Sequence, residues 1–256
     1  MKSFAFAAVC IFFVSLYSCK KDTTGSSNPT TTTSTKVKTY IEELQSSDRS
    51  ISIDTFNIIY NSADKIISMT SSSGGNFNYE YNTNDFFMYI GYYSHRIITV
   101  HFFLNSNHLV DSSLQYNDTN DSSTERYIYN SKQQLVQYRH YYYRAWTGGA
   151  ALESVTNYGY DSDGNLITQT EAGPDGNTTK TRRFTYNNVK NKVNISTPFY
   201  PVLHINLPVT ETILDGSGAV TATVNYEYTY DSLNRVKVEK KSDSYKNVVI
   251  KKYFYL

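Results

Sequence analysis

The side chains best suited to chemistry in this 256-residue sequence are five histidines, an aromatic run at 138–146 and an acidic turn at 161–165. His95, His101, His108, His140 and His204 form no pair at a zincin or zinc-finger spacing, so no metal site is expected from them. The run Tyr138-Arg139-His140-Tyr141-Tyr142-Tyr143-Arg144-Ala145-Trp146 offers flat rings that stack on sugars and cations that hydrogen-bond hydroxyls, which makes Tyr141, Tyr143 and Trp146 the candidate ligand-binding residues. The structural alternative is a strand with aromatics on both faces, one row in the core and the other at an edge or an oligomer contact. Asp161-Ser162-Asp163-Gly164-Asn165 has the composition of a calcium loop, but an EF-hand needs Gly at the sixth position and Glu at the twelfth. Here Gly is fourth, and a turn is the better reading. There is no Gly-x-Ser-x-Gly, phosphate loop or dinucleotide fingerprint. A glycosidase pair of carboxylates from distant strands stays open, but Glu is sparse on the expected strands, so neither an enzyme nor a cofactor is expected.

The amino terminus carries a different kind of chemistry. Met1-Lys2-Ser3 precedes an apolar run from Phe4 to Tyr17, too short to span a bilayer, and then Ser18-Cys19. Leu16-Tyr17-Ser18-Cys19 resembles a bacterial lipobox, which implies a signal peptide over 1–18, cleavage before Cys19, and acylation of Cys19 and of the new amino terminus. Several acyl chains anchor a protein stably where one does not. Cys10 goes with the signal, so the mature chain keeps no thiol for catalysis, disulfides or zinc. Losing residues 1–18 removes Lys2 and brings the formal charge from +1 to zero, so a polybasic nucleic-acid binder is excluded. Residues 19–36 form a tether: Thr23 to Thr35 is drawn only from Thr, Ser, Gly, Asn and Pro and can build no core.

Residues 37–256 must hold whatever else the chain does. Tyr, at 25 residues, favours strands. From about residue 50 a signature recurs seven times: two residues spaced by two, the second aromatic, then a polar turn and an aliphatic residue six positions on. The instances are Ile58-x-Tyr60 to Ile66, Tyr79-x-Tyr81 to Phe87, His101-x-Phe103 to Leu109, Tyr127-x-Tyr129 to Leu135, Tyr158-x-Tyr160 to Leu166, Phe184-x-Tyr186 with Val193 seven on, and Tyr228-x-Tyr230 to Val236. The intervening turns carry Asp or Asn early and Gly or Asn at the left-handed position, as a type I turn with a bulge requires. Other turns, such as Ser73-Gly74-Gly75-Asn76 and Asp215-Gly216-Ser217-Gly218, alternate with these as a meander demands. An extra element is expected around Pro198, Pro201 and Pro208, and a short entry helix over Lys38–Gln45.

Seven hairpins give about fourteen antiparallel strands, more than a twisted open sheet carries without curling, so the expected fold is all-β, a meander closed or curled into a large barrel. The Tyr-Asp-Ser-Asp-Gly-Asn-Leu and Tyr-Asp-Ser-Leu-Asn-Arg-Val pieces, with the lipobox and the Ser-Cys-Lys-Lys-Asp start, resemble a family of uncharacterised Bacteroidota lipoproteins with a porin-like fold. They are also similar to the tyrosine-aspartate repeats of Rhs toxins and teneurins. The first resemblance implies an outer-membrane lipoprotein facing the periplasm or the cell surface. In β-rich stretch 220–230, the face Val220, Ala222, Val224, Tyr226, Tyr228 and Tyr230 would suit lipid. Elsewhere Lys180, Arg182, Phe184 and Tyr186 share a face, as do Tyr138, His140, Tyr142 and Arg144, and such charges are costly in lipid. The expectation is therefore a lipid-anchored barrel with a binding or structural role toward a glycan or an envelope partner. An integral outer-membrane porin-like barrel is the alternative, and a carbohydrate-active enzyme stands third.

Overall fold

The computed structural model describes residues 36–48, 50–92, 95–117, 122–144, 149–193 and 204–256. No helix occurs among them. Sixteen strands follow in order: β1 (Val37–Gln45), β2 (Ile51–Tyr60), β3 (Ile66–Ser71), β4 (Gly75–Tyr81), β5 (Asp85–Tyr92), β6 (His95–Leu104), β7 (Val110–Asn117), β8 (Ser122–Tyr129), β9 (Leu135–Arg144), β10 (Gly149–Tyr160), β11 (Leu166–Ala172), β12 (Thr178–Lys190), β13 (Asn206–Asp215), β14 (Val220–Tyr230), β15 (Val236–Asp243) and β16 (Val248–Tyr255). Each pairs antiparallel with its neighbours, and β1 pairs with β16, so the sheet closes into a barrel with no edge.

The seven signature turns all lie at one rim, called here the upper rim, and join β2 to β3, β4 to β5 and so on to β14 and β15. They account for fourteen strands. β1 and β16 lie beyond the first and last signature and meet each other there, with the Leu256 amide donating to the Lys36 carbonyl at 3.0 Å. The turn chemistry is local and repeated. Asn61, Asn105, Asn130 and Asp231 each accept, through the side chain, the amides two and four residues on. The residue three places after each, and after Asp161, sits at φ between 55° and 88°: Asp64, His108, Gln133, Asn234 and Gly164. Lower-rim turns use the same device at Asp215 and Asp243.

The signature also explains what holds neighbouring strands together. At the upper rim a ring of side chains points inward and is buried to 6% exposure or less: Val37, Ile66, Phe86, Val110, Leu135, Leu166, Leu207 and Val236. Each belongs to the first strand of a hairpin. In all but the Phe86 hairpin, whose second strand ends in Leu104, a tyrosine at or near the end of the second strand donates its hydroxyl back to a backbone carbonyl of the ring residue or, for Leu207, of its neighbour Pro208. Tyr60 bonds Val37, Tyr81 bonds Ile66, Tyr129 bonds Val110, Tyr160 bonds Leu135, Tyr186 bonds Leu166, Tyr228 bonds Pro208 and Tyr255 bonds Val236, at 2.5 to 3.0 Å. Burial pushes all seven phenols above their ordinary value, so they stay protonated donors. The rings beneath supply the apolar burial. Tyr40 stacks on Phe56, and Phe86 on Phe102, both with centroids 4.5 Å apart.

Several expectations need correction. Lys38–Gln45 is strand, not helix, because it pairs on both sides in closing the barrel. The third signature is one residue out of phase: its turn starts at Asn105, so Leu104 stands where other repeats have tyrosine and Val110 is the buried aliphatic, not Leu109. His101 and Phe103 therefore point outward. The shorter turn at 82–85 likewise buries Phe86 and turns Phe87 out. In the seventh, Tyr228 makes the bond and Tyr230 is exposed. Pro208 lies within β13, while Pro198 and Pro201 fall outside the described residues. The largest correction concerns the faces. On β14 Ala222, Tyr226 and Tyr228 point into the barrel, and Thr221, Asn225, Glu227 and Thr229 are exposed. The aromatic face is the inside.

Candidate functional site

At the upper mouth of the lumen the described ends of the β12–β13 connection pack against inward-facing side chains of the wall. Val193 and Leu207 join the cluster of Val37, Ile66 and Val236. The Asn206 amide donates to Asn165 Oδ1 at 2.7 Å, which ties this connection to the β10–β11 turn. Ile205 packs so tightly on that turn that a Cβ at Gly164, already at φ 88°, would meet its Cδ1 at 2.8 Å. His204 Nδ1 meets the Tyr186 hydroxyl, and its ring lies edge-on to Phe184 at 5.0 Å. Burial lowers the His204 imidazole to about 4, so it is neutral at physiological pH.

Below the mouth the inner face carries charges that are paired across strands. Buried Glu211 accepts from Arg182 Nη1 at 2.5 Å and from the Tyr226 hydroxyl at 2.9 Å, and Arg182 also faces Glu171 at 3.9 Å. Buried Lys251 meets Glu42 at 2.8 Å, and Lys241 meets Glu239 at 3.1 Å. Glu125 accepts from Ser113, Tyr127 and Tyr138 at 2.5 to 2.7 Å. Arg182, Phe184 and Tyr186 on β12 and Tyr138, His140 and Tyr142 on β9 thus face inward, as their register against Gln169, Thr156 and Ser154 requires. Arg144 lies where side chains are not described. These carboxylates are committed to partners, so their burial is offset by pairing, while Arg182 Nε keeps no hydrogen bond. No cluster of metal-ligating side chains occurs among the described residues.

Beside a stretch over β16, β2 and β3 that exposes Ile51, Ile53, Ile59, Ile67 and Phe254, two sectors of the outer wall differ in chemistry. Over β12–β15 the outward positions are mostly polar, with Val189 and Val209 exposed among them: Thr181, Arg183 and Thr185, then Thr210 and Thr212, the exposed set on β14, and Lys240 paired with Glu227 at 3.0 Å. Over β5–β9 they are aromatic. Cross-strand register sets Tyr89, Thr99, Tyr116, Ser122 and Tyr143 in one row. The next row runs Phe87, His101, Leu114, Thr124 and Tyr141. Nearest the upper rim are Asp85, Phe103, Ser112, Arg126 and Arg139. His101 is held between Phe87 and Phe103, each with centroid 4.0 Å away, and its Nε2 meets Asp85 at 3.0 Å.

Two of the three residues predicted to bind ligand, Tyr141 and Tyr143, therefore sit side by side on this wall, while Tyr142 faces inward. Trp146 and Cys19 lie outside the described residues. Sequence reasoning missed Phe87, Tyr89, Phe103 and Tyr116 as members of the same surface. The available signal was aromatics occupying both alternate sets of positions in β5 and β9, where a strand with one wet face has aromatics in one set only.

No protein-family model matches the sequence, and no curated protein does. Two crystal structures resemble the fold. A porin-like protein from Bacteroides uniformis superposes with TM-score 0.64 at 13% identity, covering 86% of this chain and 98% of that one. A porin-like protein from Bacteroides vulgatus gives 0.59 at 14% identity over the same shares. The likeness is one of fold: a porin-like closed barrel. A region of the Photorhabdus luminescens Tc holotoxin pore, at TM-score 0.29, bears no weight for the tyrosine-aspartate resemblance.

Proposed function

We propose that this chain is a non-conducting, non-catalytic barrel held at the outer membrane by acyl groups on Cys19, facing the periplasm or the cell surface, with a binding or structural role in the envelope. The observation that carries this reading is the polar outer face of β12 and β14. A barrel immersed in lipid shows an apolar band outward, and a Lys or Arg placed there near the midplane costs about 2–4 kcal/mol. Here the middle of β14 presents Asn225 and Glu227 outward and Tyr226 and Tyr228 inward, and Arg183 is exposed in the middle of β12. Val193 and Leu207, buried against the wall at the upper mouth, favour a barrel that does not conduct. A tether is also redundant on an integral barrel and useful on one that stands in water. No residue is assigned a catalytic step.

The likeness to two porin-like proteins favours a second reading, an integral outer-membrane pore. One experiment separates the two. The mature chain bearing Cys19→Ser, hence unacylated, is expected to be soluble and monodisperse without detergent and silent in planar bilayers. Insolubility relieved only by detergent, together with discrete conductance steps, would establish the pore instead.

A further inference from the structure

We propose that the outer wall of β5–β9 is a membrane-contact face: the barrel reclines with this wall in the headgroup region of the bilayer that holds it. The inference rests on the lipid-anchor reading above and adds which side of the barrel meets lipid. Phe103, Tyr116 and Tyr143 are 38%, 49% and 37% exposed on that wall, with Arg126 and Arg139 beside them. Amphipathic rings with a hydroxyl, and cations on long apolar stems, are the side chains that partition into a membrane interface. The wall of β12–β14 carries Arg183 but sets it among Thr181, Thr185, Thr210 and Asn225, and the wall of β2 exposes aliphatic Ile53 and Ile59, so it is the β5–β9 wall that brings aromatic rings and two arginines together.

Geometry favours lipid over a sugar. Phe87 and Phe103 turn toward His101 at 4.0 Å each, so ring faces are spent on one another and edges are left outward. A stacked sugar needs a free flat face. The tether makes the contact reachable. A chain as long as residues 19–35 would reach at most roughly 55 Å at about 3.3 Å per residue, more than the width of a sixteen-strand barrel, roughly 30 Å at the usual strand spacing. The chain enters the barrel at β1 on the upper rim, the rim that the row of Phe103 and Arg126 also borders, five to seven strands away around the barrel. With every wall in reach, surface chemistry decides which one lies down, and tethering raises the effective concentration so that a weak contact suffices.

The test is flotation of the unacylated mature chain (Cys19→Ser) with vesicles of phosphatidylethanolamine and phosphatidylglycerol. Wild type is expected to float with the vesicles. The combination Phe103→Ser, Tyr116→Ser and Tyr143→Ser is expected to lower the bound fraction on the order of tenfold, while Thr185→Ala, Asn225→Ala and Thr229→Ala together leave it unchanged. If the first combination does not fold by circular dichroism, Tyr116→Ser with Tyr143→Ser is scored instead. The proposal is overturned if soluble wild type stays at the bottom of the gradient, or if wild type and the aromatic variant float equally. It is equally overturned if the aromatic wall proves to bind soluble polysaccharide, or to join two copies in sedimentation, without binding vesicles. Solubility without flotation sinks this inference and leaves the anchored-barrel reading standing, whereas insolubility without detergent removes both.

Discussion

Tyr160 and Leu135 show what the repeated signature does at the level of single residues. The Tyr160 hydroxyl donates to the Leu135 carbonyl at 2.8 Å, next to a side chain that is 6% exposed, so the bond satisfies a partly buried acceptor at the point where the chain enters its turn. Tyr160→Phe removes the donor and keeps the ring. It is expected to cost about 0.5–1.5 kcal/mol and to lower the melting temperature by roughly 2–5 °C, read by circular dichroism. Leu104 is the natural control, since at the equivalent position it has no hydroxyl, and Leu104→Ala is a cavity substitution of a different kind. A Tyr160→Phe variant as stable as wild type would mean that the tyrosines are selected for ring burial alone. The spacing of these tyrosines was plain in the sequence. Their purpose was not, because the acceptor is a backbone carbonyl about twenty residues away, and a linear pattern carries no record of that contact.

At the scale of the element, the turns were legible and the faces were not. Asn61, Asn130, Asp161 and Asp231 mark turns because a side-chain oxygen caps amides within four residues, a local interaction that any sequence reading can find. β1 and β16 carry no such turn between them, and their pairing depends on closure of the whole sheet, so fourteen strands were expected where there are sixteen. Alternation along Val220–Tyr230 was equally clear, but alternation says only that two faces differ. Which face points inward depends on whether the lumen holds water or side chains, and that is decided by the other strands. The same limit hid the outer wall of β5–β9, where two shortened or shifted turns move Phe87 and Phe103 from the inner set to the outer. Two turn positions, Gln133 and Lys246, depart from the chemistry the others use. Gln133 holds φ 62° with an exposed side chain, in a conformation that glycine adopts freely and that Asp, Asn or His tolerate better than Gln. Gln133→Gly is expected to stabilise by about 0.5–1 kcal/mol, visible as a higher denaturant midpoint with an unchanged slope. A lower midpoint would show that the Gln133 side chain makes a contact worth more than the backbone relief.

The whole molecule behaves as eight hairpins arranged in a ring, and nothing in that ring singles out the hairpin at which the chain begins. Leu256 and Lys36 already meet through a backbone hydrogen bond, and Tyr60 and Tyr255 make the same bond to Val37 and Val236 that the tyrosines of internal hairpins make. The junction between β1 and β16 is therefore an upper-rim turn with its peptide missing. A circular permutant that joins Leu256 to Lys36 through a short Gly-rich turn and opens the chain between Ser131 and Lys132 exchanges one such junction for another. The new ends fall in an exposed turn whose two strands, β8 and β9, stay paired from Ser122–Tyr143 to Tyr129–Leu135. Loop-closure entropy changes little, since each strand except the two at the new break keeps its sequence neighbours. The permutant, made without residues 1–35, is expected to unfold in a single transition within a few degrees of the same segment in native order. Among the described residues the β12–β13 hairpin has a tie that the other repeats lack: Asn206 is bonded to Asn165, so a permutant opened at the β10–β11 turn cuts the partner of this plug and is expected to lose more stability than one opened at Ser131. Equal stability of the two permutants would show that the plug contributes little to closing the barrel, and that the tyrosine ring alone determines its shape.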